Sequence, residues 1–176
     1  MKDSALSVAN YFVDVSKSSG TEIMPLKLMK LVYIAHGFML ALMNRSVFNP
    51  RFDRVEAWRL GPVVPSVYHS FKQYKNAPIT EKTVVFKYKD DTADDATGDF
   101  VVPDLQDNDA KKVCDIVWKR YSGVSDGELE DLLHGKATPW ANVYVLGMNR
   151  EIPDELTRLY YRGLIRRLIG GSNGKN

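Results

Sequence analysis

The sequence predicts a mainly α-helical fold with a small β-hairpin, arranged as a single compact multi-helix domain around a central apolar helix at about residues 25–43. Apolar residues recur at intervals of three and four over several segments, which is the period of amphipathic helices. Residues 83–102 instead combine β-branched and aromatic residues on both sides of a polar link, which is typical of a hairpin. The chain has 176 residues, 44% of them apolar and 26% charged, as expected for one globular domain with its own core.

The first helix is predicted to begin near Ser4 and to end at Gly20. Its apolar residues fall on one face, and these are Ala5, Val8, Ala9, Phe12 and Val13. Asn10 falls on the opposite, polar face together with Asp14 and Lys17. We therefore expect Asn10 to face water.

The second helix is predicted to begin at Pro25, because proline is favoured in the first turn of a helix. It is apolar nearly all round, so we expect it to be the central helix. The stretch from Leu31 to Met43 is interrupted by His36 and is too short to span a bilayer, which favours a buried helix over a membrane segment. Lys27 and Lys30 lie in the first turns, where we expect their charges to stay near water.

Residues 57–68 read AWRLGPVVPSVY, so a tryptophan and two prolines bracket a glycine. Pro62 and Pro65 fix φ and remove two backbone donors, while Gly61 permits a backbone angle that a side chain would forbid. The segment predicts a rigid, shaped loop that is neither ordinary helix nor strand. A short helix with Ser66 as its N-cap should follow, as far as about Tyr74.

The predicted hairpin pairs residues 83–88 with residues 100–102. Its link, residues 90–99, carries five aspartates and few apolar groups, so we expect a mobile, solvated tip. The spacing of these aspartates does not follow that of a calcium loop. Steering of a basic protein partner by this negative loop remains an open alternative.

The C-terminal half predicts further helices. One carries an apolar stripe that includes Cys114 and stops near Gly123, and the next begins with the capping-box spacing of Ser125 and Glu128. The last begins at Pro153, and its predicted inward residues are Leu156, Leu159, Tyr160, Leu164 and Leu168. We expect the domain to span residues 4–169 and residues 170–176 to form a disordered tail.

The composition gives little support for catalysis, for a cofactor or for a metal site. The single cysteine forms no intramolecular disulfide and the N-terminus lacks the apolar core of a signal peptide, which together favour the cytoplasm. The three histidines follow no zinc spacing: His36 is expected in the core, His69 on the surface, and His134 at a helix end where it caps carbonyls. Cys114 lies in a buried stripe and no serine lies in a glycine-flanked elbow, so we expect no enzyme.

Arg158, Arg162 and Arg166 recur at intervals of four and form one basic edge of the last helix. This edge suits nucleic acid, but cations late in a helix also follow from the helix dipole. No aromatic platform lies beside them, so a solvated face is favoured over nucleic-acid binding.

Residues 57–68 are therefore the favoured surface for contact with a protein partner. Aromatic and arginine side chains on a preorganised frame anchor partners at low ordering cost. The residues predicted to form this surface are Trp58, Arg59, Gly61, Pro62, Pro65 and Tyr68, with His134 and Trp140 as weaker members. The alternative is an architectural corner that packs Trp58 and Tyr68 into the core.

Several of these segments also resemble a known family. Residues 28–37, then residues 56–68, resemble the signature of the Panacea domain, also called the SocA-like or phage-associated GepA-like domain. Residues 121–140, with Leu129, Leu132 and His134, are similar to its second block, and residues 152–154 open its closing helix. The similarity extends from about residue 5 to residue 168.

This resemblance implies a mainly helical antitoxin of a bacterial or prophage toxin–antitoxin pair, which neutralises a cognate toxin by direct binding. No added DNA-binding segment is evident, so operon autoregulation is not expected. An adaptor that delivers a bound toxin to a cytoplasmic protease is the alternative. A hydrolase that uses His134 is a further and different class of hypothesis.

Overall fold

The computed structural model describes residues 3–88 and 97–170. The helices are α1 (Ala5–Ser19), α2 (Pro25–Met43), α3 (Pro65–Phe71), α4 (Asn108–Tyr121), α5 (Asp126–His134), α6 (Pro139–Val143) and α7 (Asp154–Gly170). An antiparallel sheet has the order β2 (Gly61–Val63), β1 (Glu56–Trp58), β5 (Arg150–Glu151), and a separate hairpin pairs β3 (Val85–Tyr88) with β4 (Gly98–Val101). The mainly α-helical prediction with a small hairpin is confirmed. Residues 90–96 of the predicted tip and 171–176 of the predicted tail lie outside the described residues, whereas Gly98 and Asp99, which were predicted to lie in the tip, belong to β4.

Helix α2 is the centre of the fold, and α1, α4 and α7 pack around it. Pro25 occupies its first turn, as predicted, and Asn44 ends it in the left-handed conformation. By length and composition alone α2 is apolar enough to cross a membrane, but 72% of that apolar stretch is buried inside the protein. The prediction of a buried core helix is therefore confirmed.

The helix boundaries follow the predicted caps in most places. Ser4 caps α1 and Gly20 ends it at φ 67°, because glycine has no Cβ to oppose a left-handed angle. Ser125 and Glu128 form the predicted capping box of α5. Cys114 lies buried in the apolar stripe of α4, which ends at Tyr121, two residues before the predicted stop. Helix α6 and strand β5 are short elements that the sequence pattern did not indicate.

Helices α2 and α7 approach closely at Gly37. A Cβ atom built on Gly37 would lie 2.3 Å from the ring of Tyr161, so only glycine leaves room for that ring. The predicted inward face of α7 is right in part, because Tyr160 and Leu164 pack against the core. It is wrong for Leu159, which is 57% exposed, and it missed Tyr161 and Thr157, the buried residues of this helix. The fit of Tyr161 against Gly37 sets the rotation of α7 about its axis.

Asn10 also departs from its prediction, because it is buried rather than on a solvated face. Its amide nitrogen donates to the carbonyl oxygens of Thr83 and Pro103, at 3.1 and 2.8 Å. Its side-chain oxygen accepts from the Thr83 N–H at 2.9 Å. These bonds fasten both legs of the β3–β4 hairpin to α1, and they offset the cost of burying an amide.

The predictions for two histidines are confirmed. His36 is buried in the core, with Nε2 2.8 Å from a carboxylate oxygen of Asp154 and its ring stacked on Phe48. His69 is exposed on α3. On α7, Arg158 pairs with Glu155 and donates to Asn44, so part of the basic edge is engaged within the chain.

Candidate partner-binding surface

The segment predicted to be a shaped loop forms the β1–β2 hairpin, so that prediction is wrong in its local structure. Trp58 pairs with Gly61 and Ala57 with Pro62, which leaves Arg59 and Leu60 as the turn. Gly61 has φ +116°, an angle that L side chains rarely adopt, so glycine is required there. Pro62 is tolerated in a strand because β2 lies at the edge of its sheet, where it pairs with β1.

Helix α3 leads away from the hairpin and begins at Pro65, one residue before the predicted start. Val64 is its N-cap, and Pro65 fills the first-turn position that proline favours. The expected N-cap role of Ser66 is therefore wrong. The Ser66 hydroxyl instead donates to Asp53 at 2.8 Å, and the same carboxylate accepts from the N–H of Ala5. Asp53 thus ties the start of α3 to the start of α1.

A groove of about 240 Å³ lies between the β1–β2 hairpin, the start of α2 and helix α3. Its lining residues are Leu26, Met29, Trp58, Arg59, Leu60, Val63 and Tyr68. The Trp58 and Tyr68 rings meet edge to face, with centroids 4.9 Å apart, and each is partly buried. Arg59 is exposed and Leu60 is 47% exposed at the rim. The groove therefore combines an apolar floor with a guanidinium at its edge.

The structure brings Trp58, Arg59 and Tyr68, three of the residues predicted for partner contact, to this groove. Gly61 and Pro62 are buried, and they fix the backbone of the hairpin without lining the groove. Pro65 begins α3 and so fixes where Tyr68 points.

His134 and Trp140 lie behind the hairpin turn. The indole N–H of Trp140 donates to the Trp58 carbonyl at 2.7 Å, and the His134 ring packs on Trp140 with centroids 4.1 Å apart. A Cβ atom on Gly61 would lie 3.1 Å from His134 Nε2, so the imidazole fills the space behind the turn. These contacts hold the hairpin in one conformation.

His134 is the last residue of α5, as predicted, but among the described residues its imidazole makes no hydrogen bond to a carbonyl oxygen, so the predicted capping role is wrong. Its Nδ1 atom lies 3.6 Å from a carboxylate oxygen of Glu130, and its buried Nε2 has no hydrogen-bond partner within the described part of the chain. Burial lowers the pKa of His134, and the nearby ammonium of Lys30 adds to this effect, whereas Glu130 opposes it. The neutral imidazole is therefore the favoured form.

Lys30 is the clearest departure from the sequence prediction near this surface. It is 2% exposed rather than near water, and its ammonium donates to the carbonyl of Asp126 at 2.8 Å. Burial lowers the pKa of Lys30, while the carboxylates of Asp126 and Glu130 act in the opposite direction. Lys30 thus joins α2 to the first turn of α5, the helix that carries His134.

Sequence reasoning missed four groove residues, namely Leu26, Met29, Leu60 and Val63. Leu26 and Met29 belong to a helix that is apolar nearly all round, so its pattern gives no sign of which residues remain open. Leu60 lies in a two-residue hairpin turn, where a side chain is exposed to solvent, so recognition of this turn in the sequence would have identified it. Across residues 3–88 and 97–170, no group of three or more His, Cys, Asp or Glu side chains is arranged to hold a metal ion.

Comparison with known proteins gives the relationship of this chain. The family model described as "Antitoxin SocA-like, Panacea domain" matches residues 28–141, which include most of α2, the β1–β2 hairpin, α3, α4 and α5. Antitoxin SocA of Caulobacter vibrioides (strain NA1000 / CB15N) is 29% identical over 137 residues, which cover 77% of this chain and 68% of that protein. No solved structure matches the chain. The resemblance noted from the sequence is confirmed, and the chain belongs to the Antitoxin SocA-like, Panacea domain family.

Proposed function

We propose that this protein is the antitoxin of a bacterial or prophage type II toxin–antitoxin system and neutralises a cognate protein toxin in the cytoplasm by direct binding. Family membership over residues 28–141 is the observation that carries this proposal, together with the name of the Caulobacter relative. The role requires a binding surface and no catalytic group, which suits a chain whose only cysteine is buried. Six of the seven residues that line the groove beside the β1–β2 hairpin lie within the matched range, so we propose that the toxin contacts this groove.

The groove suits this role because its shape exists before a partner arrives. The Trp140 bond to Trp58 and the packing of His134 behind Gly61 fix the hairpin, so little conformational entropy is lost on binding. Trp, Tyr and Arg are the side chains that most often dominate interface energetics. In this assignment Trp58 and Tyr68 anchor an apolar group of the toxin, and Arg59 pairs with an acidic group at the rim.

Co-expression tests the function. Each open reading frame adjacent to the gene is expressed alone and together with this chain, and the expected result is a neighbour that arrests growth alone and is harmless in combination. The two proteins should also co-purify. If no neighbour is toxic, or if co-expression fails to restore growth, the antitoxin role is wrong.

A variant pair tests the surface. Arg59→Glu reverses the exposed charge at the groove rim, whereas Arg54→Glu makes the same change at another exposed position outside the groove lining. We expect Arg59→Glu to weaken toxin binding by at least about tenfold, the size typical of an interface hot spot, and Arg54→Glu to leave it unchanged. Equal binding by both variants would remove the toxin contact from the groove while leaving the antitoxin role intact.

The half-life of the toxin distinguishes simple binding from delivery to a protease. Under direct neutralisation, toxin half-life in cells is the same or longer when this chain is present. A half-life that shortens and recovers in a protease-deficient strain would instead identify a proteolytic adaptor.

A further inference from the structure

Three side chains outside the groove form a hydrogen-bonded series in the order serine, histidine, carboxylate. The Ser46 hydroxyl oxygen lies 3.3 Å from Nδ1 of His36, and Nε2 of the same ring lies 2.8 Å from a carboxylate oxygen of Asp154. His36 lies within α2, Ser46 just beyond its end, and Asp154 opens α7. A serine beside a histidine that a carboxylate orients is an arrangement that activates a hydroxyl as a nucleophile. The residues are 10 and 118 positions apart, so no sequence motif joins them.

The hydrogen bonds assign one tautomer to the neutral imidazole of His36. An ionised carboxylate only accepts, so Nε2 carries the proton that is donated to Asp154. Nδ1 then holds the lone pair, and it accepts the hydroxyl proton of Ser46. The direction of the hydrogen bonds is that of a serine hydrolase, with the roles of the two ring nitrogens exchanged.

The base and the hydroxyl are both held in place by Phe48. His36 is 1% exposed, and its ring stacks on Phe48 with centroids 4.1 Å apart and planes 7° apart. The Phe48 N–H donates to the Ser46 hydroxyl oxygen at 2.9 Å, which leaves the second lone pair of that oxygen for attack. Groups that are oriented before a substrate binds lose little entropy on the way to the transition state.

The Ser46 side chain is open to a cavity, whereas the base behind it is not. Ser46 is half-buried and lines a cavity of about 370 Å³ together with residues 47–50, and Asp3, Arg45 and Asp107 complete the wall. This volume suits a small molecule. His36 does not line the cavity, so a bound substrate would meet the hydroxyl and not the imidazole.

A backbone donor is available beside the hydroxyl. Val47 directly follows Ser46 and lines the same cavity. Its N–H makes no hydrogen bond within residues 3–88 and 97–170. The N–H of the residue after a nucleophilic serine is one that stabilises the developing oxyanion in serine hydrolases. The structure therefore supplies a nucleophile, a base, a carboxylate and a donor around one cavity.

The charges at the cavity indicate the class of substrate. The Arg45 guanidinium donates to Asp107, and this hydrogen bond lowers the pKa of the Asp107 carboxyl to about 2. The Asp3 carboxylate accepts from the backbone N–H groups of Gln106 and Asp107. These charged groups are engaged within the protein, so a neutral substrate fits the cavity better than a charged one.

We propose that Ser46, His36 and Asp154 form an esterase site for small neutral carboxylic esters, independent of the groove and of the antitoxin role. The Ser46 oxygen attacks the ester carbonyl carbon while Nδ1 of His36 takes the hydroxyl proton. The same nitrogen gives that proton to the leaving alcohol as the C–O bond breaks, which leaves an acyl ester on Ser46.

Water then hydrolyses the acyl ester. Nδ1 of His36 takes a proton from the attacking water and returns it to the Ser46 oxygen, and the carboxylic acid is released. Asp154 touches no reacting atom. It is a positioning residue that holds the tautomer of His36 and stabilises the imidazolium that forms in each step.

Covalent labelling of the full chain tests the nucleophile. A fluorophosphonate probe bonds to activated serine hydroxyls with loss of fluoride, and mass spectrometry of the peptides locates the bond. We expect labelling at Ser46, together with hydrolysis of p-nitrophenyl acetate that stops after labelling. Absence of label from Ser46 would overturn the proposal. This measurement uses the wild-type chain, so it does not depend on the folding of a variant.

Variants separate catalysis from a structural role. Ser46→Ala should lower p-nitrophenyl acetate hydrolysis by at least about hundredfold. Ser18→Ala is the control, because Ser18 is exposed on α1 and does not line the cavity, and it should keep the wild-type rate. Asp154→Asn should lower kcat with little change in KM, since Asp154 does not line the cavity either.

Circular dichroism establishes that each variant is folded. A folded Ser46→Ala protein with the wild-type rate would refute the role of Ser46 as nucleophile. A folded Asp154→Asn protein with the wild-type kcat would refute the positioning role, and the hydrogen bonds of His36 would then serve only the packing of α7 on α2.

Discussion

Replacement of Gly61 by alanine probes the turn on which the groove depends, and we expect the variant to be about 2 kcal/mol less stable than the wild type. The φ angle of Gly61 is +116°, and a side chain held in such a region costs about 1–3 kcal/mol. The new Cβ would also lie 3.1 Å from Nε2 of His134, so the imidazole must shift by a few tenths of an ångström. That shift is resisted because the His134 ring packs on Trp140 at 4.1 Å.

Urea unfolding followed by tryptophan fluorescence measures this loss directly. For a chain of this size, 2 kcal/mol corresponds to a fall in Tm of about 4–8 °C. Gly127→Ala is the matched control, since Gly127 lies in α5 and a Cβ there meets nothing within 4 Å. The control should be as stable as the wild type or up to about 1 kcal/mol more stable. A Gly61→Ala protein with the wild-type free energy of unfolding would refute the argument from backbone angle and packing.

Three further predictions concern the core and the support of the groove. Gly37→Ala should lower the free energy of unfolding by about 1–3 kcal/mol, because its Cβ would overlap the Tyr161 ring, and an unchanged Tm would show that α7 adjusts freely. Trp140→Phe should lower the free energy of unfolding in urea by about 1–3 kcal/mol, because the Trp58 carbonyl loses its hydrogen-bond donor. Wild-type stability of this variant would mean that a water molecule replaces the indole N–H as the donor. For Lys30, burial places the folded-state pKa below the ordinary 10.5, so the unfolded chain holds this proton more tightly. Wild-type stability should therefore rise as pH increases through the window between that lowered pKa and 10.5. The Lys30→Met variant should lack this rise. Equal changes of stability with pH in the two proteins would contradict the lowered pKa of Lys30.

Local signals predicted much of the fold because they depend on near neighbours in the chain. The Ser4 and Ser125 caps, the proline that begins α2 and the apolar period of α4 all act within a few residues. The sequence also indicated that Trp58, Arg59 and Tyr68 lie near one another, since all three fall within the eleven residues 58–68.

Burial of polar side chains was not predictable in the same way. Asn10 finds its partners 73 and 93 residues away, and Lys30 finds its partner 96 residues away. The local pattern assigns both to water, because it contains no information about a distant carbonyl. The prediction of which α7 residues are buried failed for a related reason. The Tyr161 ring fits against Gly37 on α2, and this contact with another helix determines which side of α7 faces inward.

The three strands of the sheet were missed because each has only two or three residues. Such lengths give no alternating pattern, and Pro62 argues against a strand unless the strand lies at an edge. The β3–β4 hairpin shows a different limit. The alternation of apolar side chains along it was visible in the sequence, but only the structure shows that Phe86, Tyr88 and Phe100 are exposed.

The interlock of α2 with α7 bears on how the protein is made. Tyr33 and Thr157 touch across this helix pair at 3.5 Å although 124 residues separate them. During translation the most apolar helix therefore leaves the ribosome long before the ring of Tyr161 exists to cover it. A nascent chain interrupted before α7 would already contain the whole groove sequence and yet lack a closed interior, which makes it a substrate for chaperones and quality-control proteases. The cellular supply of folded protein thus depends on translation that proceeds through α7.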